Sequence, residues 1–230
     1  MTERVLAVVA HPDDEVLGVG GTLARHAAAG DQMQVLIMAE GATARGDAAT
    51  GEDGAASVSA LTDAAARAAT ILGYPSPHHA FLPDNRLDTL PLLDIVKQIE
   101  AMVASFEPTR VYTHHGGDLN IDHRIVHEAV VTTCRPLPEG TVCGLYAFET
   151  PSSTEWRTPS ASSLFIPNRF VDITHQLEQK MAALACYAQE MRPFPHARST
   201  EAVAALARQR GASVGLEAAE ALSVIREIER

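Results

Sequence analysis

The chain's 230 residues suit one compact domain with a full-sized core, and 46% hydrophobic with 20% charged residues is the balance of an ordinary globular protein. A net charge of −11, from 18 basic against 29 acidic residues, argues against a nucleic-acid partner and leaves neutral, cationic or small substrates. Cys134, Cys143 and Cys186 lack any CxxC spacing, which supports neither a disulfide framework nor a thiolate zinc site; they read as core residues in a reducing cytoplasm.

In chain order, the first half alternates strand and helix signals: a strand at Val5–Ala10, a helix at Leu17–Ala29, a strand at Met33–Ala39 and a helix at Ala56–Leu72. A strand at His79–Leu82, a helix at Pro91–Phe106, a strand at Arg110–His114 and a helix at Asp122–Cys134 follow. This order predicts a Rossmann-like α/β fold over residues 1–230, with a mostly parallel sheet covered by helices. The second half is less regular, with strands expected at Val142–Phe148 and Phe165–Ile173, helices near His175–Met191 and Thr200–Gly211, and an apolar alternation around Ala221–Ile228. Gly41–Gly54 and Pro151–Ser163 are expected to be loops, the first placed to cover a substrate. The N-terminus lacks a secretory signal and nowhere do ~18 apolar residues run together, so a cytoplasmic protein without membrane insertion is expected.

The first strand ends in Ala10-His11-Pro12-Asp13-Asp14-Glu15, one imidazole and three carboxylates at the mouth of a buried strand. Such a concentration of charge needs a metal or a proton-transfer partner. His11 and Asp14 can face one ion from a turn, and a zinc site with an open position needs a third protein ligand. The fourth strand ends on the same rim in His114-His115-Gly116-Gly117-Asp118-Leu119-Asn120-Ile121-Asp122-His123. Asp122 is expected to cap the next helix, which makes His123 in its first turn the best-oriented third ligand. Two histidines and one aspartate leave room for a water whose pKa the metal lowers toward ~7, the requirement of a hydrolase.

The strand followed by HPDDE, the downstream DxNxDH and the α/β order between them resemble the LmbE-like or PIG-L family of zinc-dependent N-deacetylases, over roughly Val5 to Arg198. The resemblance implies His11, Asp14 and His123 as zinc ligands and Asp13 as the general base. It implies an N-acylated small-molecule substrate, most simply an acetylated amino sugar, and leaves a homo-oligomer open. Many relatives carry HxDH where this chain has Asn120. An amide donates to an oxyanion but is no general acid. The leaving amine's proton then comes back from Asp13 or from His114, His115, Asp118 or His196. Glu15 and Asp122 are expected to orient the ligands. Arg45, Asp84, Asn85, Asp118 and His196 are the expected substrate contacts, Arg45 by its match to an arginine of relatives and the others by position.

Other readings compete. Gly18-Val19-Gly20-Gly21 has the look of a dinucleotide fingerprint, but its third glycine is missing and the neighbouring carboxylates would repel a diphosphate; small residues that let a helix approach the sheet fit better. Trp156 with Ser152, Ser153 and Thr154 offers a platform for a sugar or simple packing. An amidase for another N-acyl or thiol-conjugate small molecule, and a non-catalytic metal-binding relative, are the functional alternatives.

Overall fold

A computed structural model of the chain describes residues 2–43 and 52–229. Its centre is a seven-stranded sheet in the order β3-β2-β1-β4-β5-β7-β6. The strands are β1 (Arg4–Val9), β2 (Gln32–Ala39), β3 (His78–Leu82), β4 (Arg110–His114), β5 (Gly144–Phe148), β6 (Arg169–Asp172) and β7 (Ala219–Glu227). The helices are α1 (Asp14–Ala28), α2 (Glu52–Leu72), α3 (Leu92–Phe106), α4 (Ile121–Thr133), α5 (Leu177–Leu184) and α6 (Thr200–Ala212). Strands β1 to β5 pair in parallel, whereas β7 runs antiparallel to both β5 and β6.

β1 is buried on both faces, so its residues read as one apolar run and divide by parity. Val5, Ala7 and Val9 join the core shared with α1, α2 and α5, and Leu6, Val8 and Ala10 join the one formed with α3 and α4. The neighbouring parallel ladder pairs Val5 with Arg110 and Ala7 with Tyr112, which brings the ends of β1 and β4 to one rim. The order of strands reverses there: the chain steps from β1 outward to β2 and β3, then returns to β4 on the other side. Open α/β sheets place their sites at such a point.

Four sequence expectations need adjustment. α1 begins at Asp14 instead of Leu17, because the two acidic residues of its first turn suit the positive end of a helix although they carry no apolar periodicity. α2 begins at Glu52, ahead of Ala56. The strand expected over Phe165–Ile173 shortens to β6: Pro167 has no N–H to give a ladder, and pairing is led in by Asn168, whose N–H donates to the Leu222 carbonyl. The helix expected near His175–Met191 gives way after Leu184 to a short 3-10 turn over Ala185–Tyr187. The glycines of α1 sit where the helix meets its neighbours: a Cβ on Gly18 would collide with the Phe148 ring, and one on Gly21 would lie 2.8 Å from Ile173.

Candidate active site

β1 delivers His11 and the turn after it delivers Asp13 and Asp14. Asp13 caps α1 with φ at 105°, a left-handed backbone that an L residue adopts at a cost and that Asp tolerates better than most. The turn is held by its own side chains. Asp14 Oδ2 accepts the His11 N–H at 2.9 Å, and Glu15 Oε2 accepts the Asp13 N–H at 3.1 Å. Tyr187 donates to the other oxygen of Glu15 at 2.6 Å. From the second element, Asn120 caps α4 by accepting the Asp122 N–H at 2.8 Å, which sets His123 in the first turn. The cap is Asn120, two residues earlier than the expected Asp122.

His11, Asp14 and His123 converge. Asp14 Oδ2 lies 3.2 Å from His11 Nδ1 and 3.2 Å from His123 Nε2. Ligand atoms bound at 2.0–2.2 Å around a tetrahedral ion are separated by about 3.3 Å, so these side chains stand at the spacing of a coordination sphere. Each imidazole has a carboxylate on its far side. His11 Nε2 lies 3.2 Å from both Asp122 Oδ2 and Asp84 Oδ1, and His123 Nδ1 lies 3.1 Å from Asp118 Oδ1, off the line of an ideal hydrogen bond. Protons on those outer nitrogens leave His11 Nδ1 and His123 Nε2 with lone pairs toward Asp14. The chemistry of this donor set fits zinc, and the buried Asp14 Oδ1 and His123 Nε2 have no hydrogen-bond partner of their own.

The electrostatics point the same way. Burial pulls the His11 imidazole down, but Asp122, Asp14 and Asp84 outweigh it and raise its pKa well above the ordinary value. His123 is likewise raised against burial by Asp14 and Asp118. Burial raises Asp14, yet His123, His114 and His11 hold it well below the usual carboxylate range. So many buried carboxylates around two imidazoles make a pocket that attracts positive charge.

Asp13 differs from its neighbours. Burial pushes its pKa up to about 7, against the pull of the Arg198 guanidinium, which donates to Oδ2 at 2.8 Å. Its other oxygen is buried without a partner. Arg198 also donates from Nε to Ser152 Oγ at 2.7 Å and is itself largely buried. Neither Arg198 nor Tyr187 announces itself in the sequence, because their partners lie 185 and 172 residues away and no local spacing connects them.

The remaining expected residues fall in several places. Asp84 and Asn85 lie on the rim at the end of β3: Asp84 faces His11, and Asn85 donates its backbone N–H to Asp122 Oδ2 at 2.7 Å. Asn120 donates from Nδ2 to Asn85 Oδ1 at 3.0 Å. Asp118 is fully buried behind His123; its oxygens accept from the Asn120 N–H at 2.9 Å, Thr154 Oγ1 at 2.5 Å and Ser153 Oγ. The hydroxyls of residues 152–154 therefore serve Arg198 and Asp118 and form no exposed platform. His114 stacks on His123 with ring centroids 3.9 Å apart, accepts the Ala10 N–H at 2.9 Å and is fully buried. His115 is tied to the Ser163 carbonyl at 3.0 Å. His196 accepts the Arg198 N–H at 3.0 Å and meets the exposed Trp156 edge-on. Arg45 lies outside the described residues.

A family model for GlcNAc-PI de-N-acetylase (PIG-L) matches residues 6–134, a stretch that includes every proposed ligand. The chain belongs to the PIG-L family. An uncharacterized deacetylase of Escherichia coli K12, YaiS, is 30% identical over 186 residues, covering 78% of this chain and 88% of that protein. The N,N'-diacetylchitobiose deacetylase of Pyrococcus horikoshii shares the fold with a TM-score of 0.76 at 18% identity, over 97% of this chain and 84% of that one. GalB of Pseudomonas putida KT2440, a 4-carboxy-2-hydroxymuconate hydratase, superposes with a TM-score of 0.75 at 25% identity, over 100% of this chain and 99% of that one. Family and curated relative agree on deacetylation, the hydrolysis of an amide, while the hydratase shows that the same scaffold carries a second chemistry.

Proposed function

We propose that the chain is a zinc-dependent N-deacetylase that removes acetyl from an amino sugar or an amino-sugar-containing small molecule, with His11, Asp14 and His123 as the metal ligands. The observation that carries this reading is the cluster of three ligand atoms, with Asp14 Oδ2 3.2 Å from a nitrogen of each histidine and each imidazole backed by a carboxylate, in a chain of this family. A zinc ion bound there supplies Lewis acidity toward the acyl oxygen and lowers the pKa of an attacking water.

Asp13 is the base. A carboxyl held near 7 accepts the water's proton and gives it back to the departing amine with little mismatch at neutral pH. That return path is favoured over three of the alternatives: His114 and Asp118 are fully buried in hydrogen bonds, and His115 is bonded to Ser163. Asn120 keeps one amide proton beyond its bond to Asn85, and offers it to the oxyanion that forms when water adds to the acyl carbon. Arg198 keeps the Asp13 carboxylate aimed, Asp118 and Asp122 fix the two imidazoles, and Glu15 steadies the turn that carries Asp13 and Asp14. Asp84 and Asn85 on the rim, His196 beside Trp156, and Arg45 are the side chains we assign to the substrate.

The diacetylchitobiose deacetylase supports the amino-sugar class. Among the described residues no helix is long and apolar enough to cross a membrane, and we place the protein in the cytoplasm with a small-molecule partner. The test is acetate release from a panel of N-acetylglucosamine, diacetylchitobiose and an N-acetylated thiol conjugate, alongside hydration of an enolic tricarboxylate. Release from the sugars supports the proposal; turnover confined to the thiol conjugate or the enol assigns another member of the fold's repertoire.

A further inference from the structure

α1 is broken, and the break is filled by a buried ion pair. Val19 leaves the helical region, with φ −136° and ψ 18°, so the residues between the cap and the break, Asp14 to Gly18, form a separate first stretch that carries the proposed ligand and follows the proposed base. In an unbroken helix the Gly21 N–H donates to the Leu17 carbonyl. Here each of those two groups meets one member of a pair from the far half of the chain. The Gly21 N–H donates to Glu220 Oε1 at 2.8 Å, and the Leu17 carbonyl accepts from Lys180 Nζ at 2.9 Å. Glu220 Oε2 also accepts the Thr22 N–H at 2.7 Å, and Lys180 closes the circuit on Glu220 Oε1 at 2.6 Å. Lys180 is 3% exposed and Glu220 4%.

We propose that Lys180 and Glu220 are positioning residues that splice the two parts of α1 and thereby set the first part, with Asp13 and Asp14, against the ligands presented by α4. The carboxylate caps the second part as an anion caps a helix start, and the ammonium caps the end of the first, so the polarity of the pair matches the backbone groups it serves. The first part is seated laterally as well: Gly18 has no room for a side chain against Phe148, whose ring lies 4.9 Å from that of His114, which stacks on His123. A continuous helix would carry the ligand turn in the direction fixed by the long second part. The splice allows the two directions to differ and holds the difference.

This inference rests on the proposed metal site, and its test separates the two. Glu220→Gln keeps the shape and removes the charge; Glu220→Asp keeps the charge and retracts it by one methylene, covering the case in which the amide variant does not fold. Arg110→Met, which breaks the Arg110–Glu3 pair of 2.9 Å at the opposite end of β4, is the control for general loss of stability. Zinc affinity is read by competition with a chromogenic chelator, and backbone opening by hydrogen exchange of residues 13–22. We expect each Glu220 variant to weaken zinc roughly tenfold and to speed exchange selectively in 13–22, while Arg110→Met does neither at a matched loss of Tm. Wild-type zinc affinity and unchanged exchange in a folded Glu220 variant, or equal effects in Arg110→Met, overturn the proposal. A wild-type protein that binds no zinc overturns the metal site instead, and the exchange measurement still decides the splice.

Discussion

Replacing Asp118 by Asn separates two roles for one buried residue. The carboxylate is fully buried, and although burial opposes its ionisation, His123, Ser153 and Thr154 hold its pKa far below the usual range. It is therefore a full negative charge 3.1 Å from His123 Nδ1. Asn keeps an oxygen for the Asn120 N–H and Ser153, and the Thr154 hydroxyl can turn to accept from the new amide, so packing and most hydrogen bonds survive. What is lost is the charge behind the imidazole. Charge-assisted hydrogen bonds are roughly twice as strong as neutral ones, and removal of such a partner weakens metal binding by about 10–100-fold, or ~1.4–2.7 kcal/mol. Chelator competition with the folded variant should show that loss, with KM for an N-acetyl amino sugar little changed once zinc is saturating. Zinc affinity within twofold of wild type together with a raised KM would refute the role assigned from the geometry and return Asp118 to the substrate-binding role first expected from its position in the motif.

Asp13→Asn should retain zinc and lower the hydrolysis rate by roughly 10²–10⁴, measured as kcat at saturating substrate, because the amide accepts no proton. Arg198→Met removes the cation that holds the Asp13 pKa down from where burial alone would put it, near 7 with Arg198 present. The base works deprotonated, so activity rises with pH through that value, and the variant's kcat/KM profile should show its acid limb displaced to higher pH; an unmoved limb would dissociate Arg198 from the base. Asn120→Ala should cost about 1 kcal/mol of stability through the lost cap and roughly 10²–10³ in rate through the lost oxyanion donor. A fallen Tm with an unchanged rate would leave Asn120 only the cap.

The parallel half of the fold was legible because its strands are apolar runs and its helices are amphipathic, both local properties. The three proposed ligands were legible for the same reason: His11 and Asp14 share one turn, and His123 follows a strand end rich in titratable residues on that rim. What escaped was long-range. Arg198, Tyr187, Lys180 and Glu220 each act on the first helix from more than 150 residues away, and a buried arginine or lysine has no periodic signature. The hydroxyls at 152–154 were visible as a cluster, but only the fold shows that they turn inward to Arg198 and Asp118. β6 and α5 fall short of the expected bounds because Pro167 has no N–H to give the ladder and the helix yields to the 3-10 turn at Ala185–Tyr187.

In the proposed mechanism His11, Asp14 and His123 together hold the catalytic ion. Metal analysis of the purified protein and its His123→Ala variant, paired with acetate release before and after chelation, tests it most directly. About one zinc per wild-type chain is expected, with an emptied site in the variant and activity that disappears on chelation and returns with added zinc. Full zinc occupancy in His123→Ala, or deacetylation that persists in the metal-free protein, would contradict it.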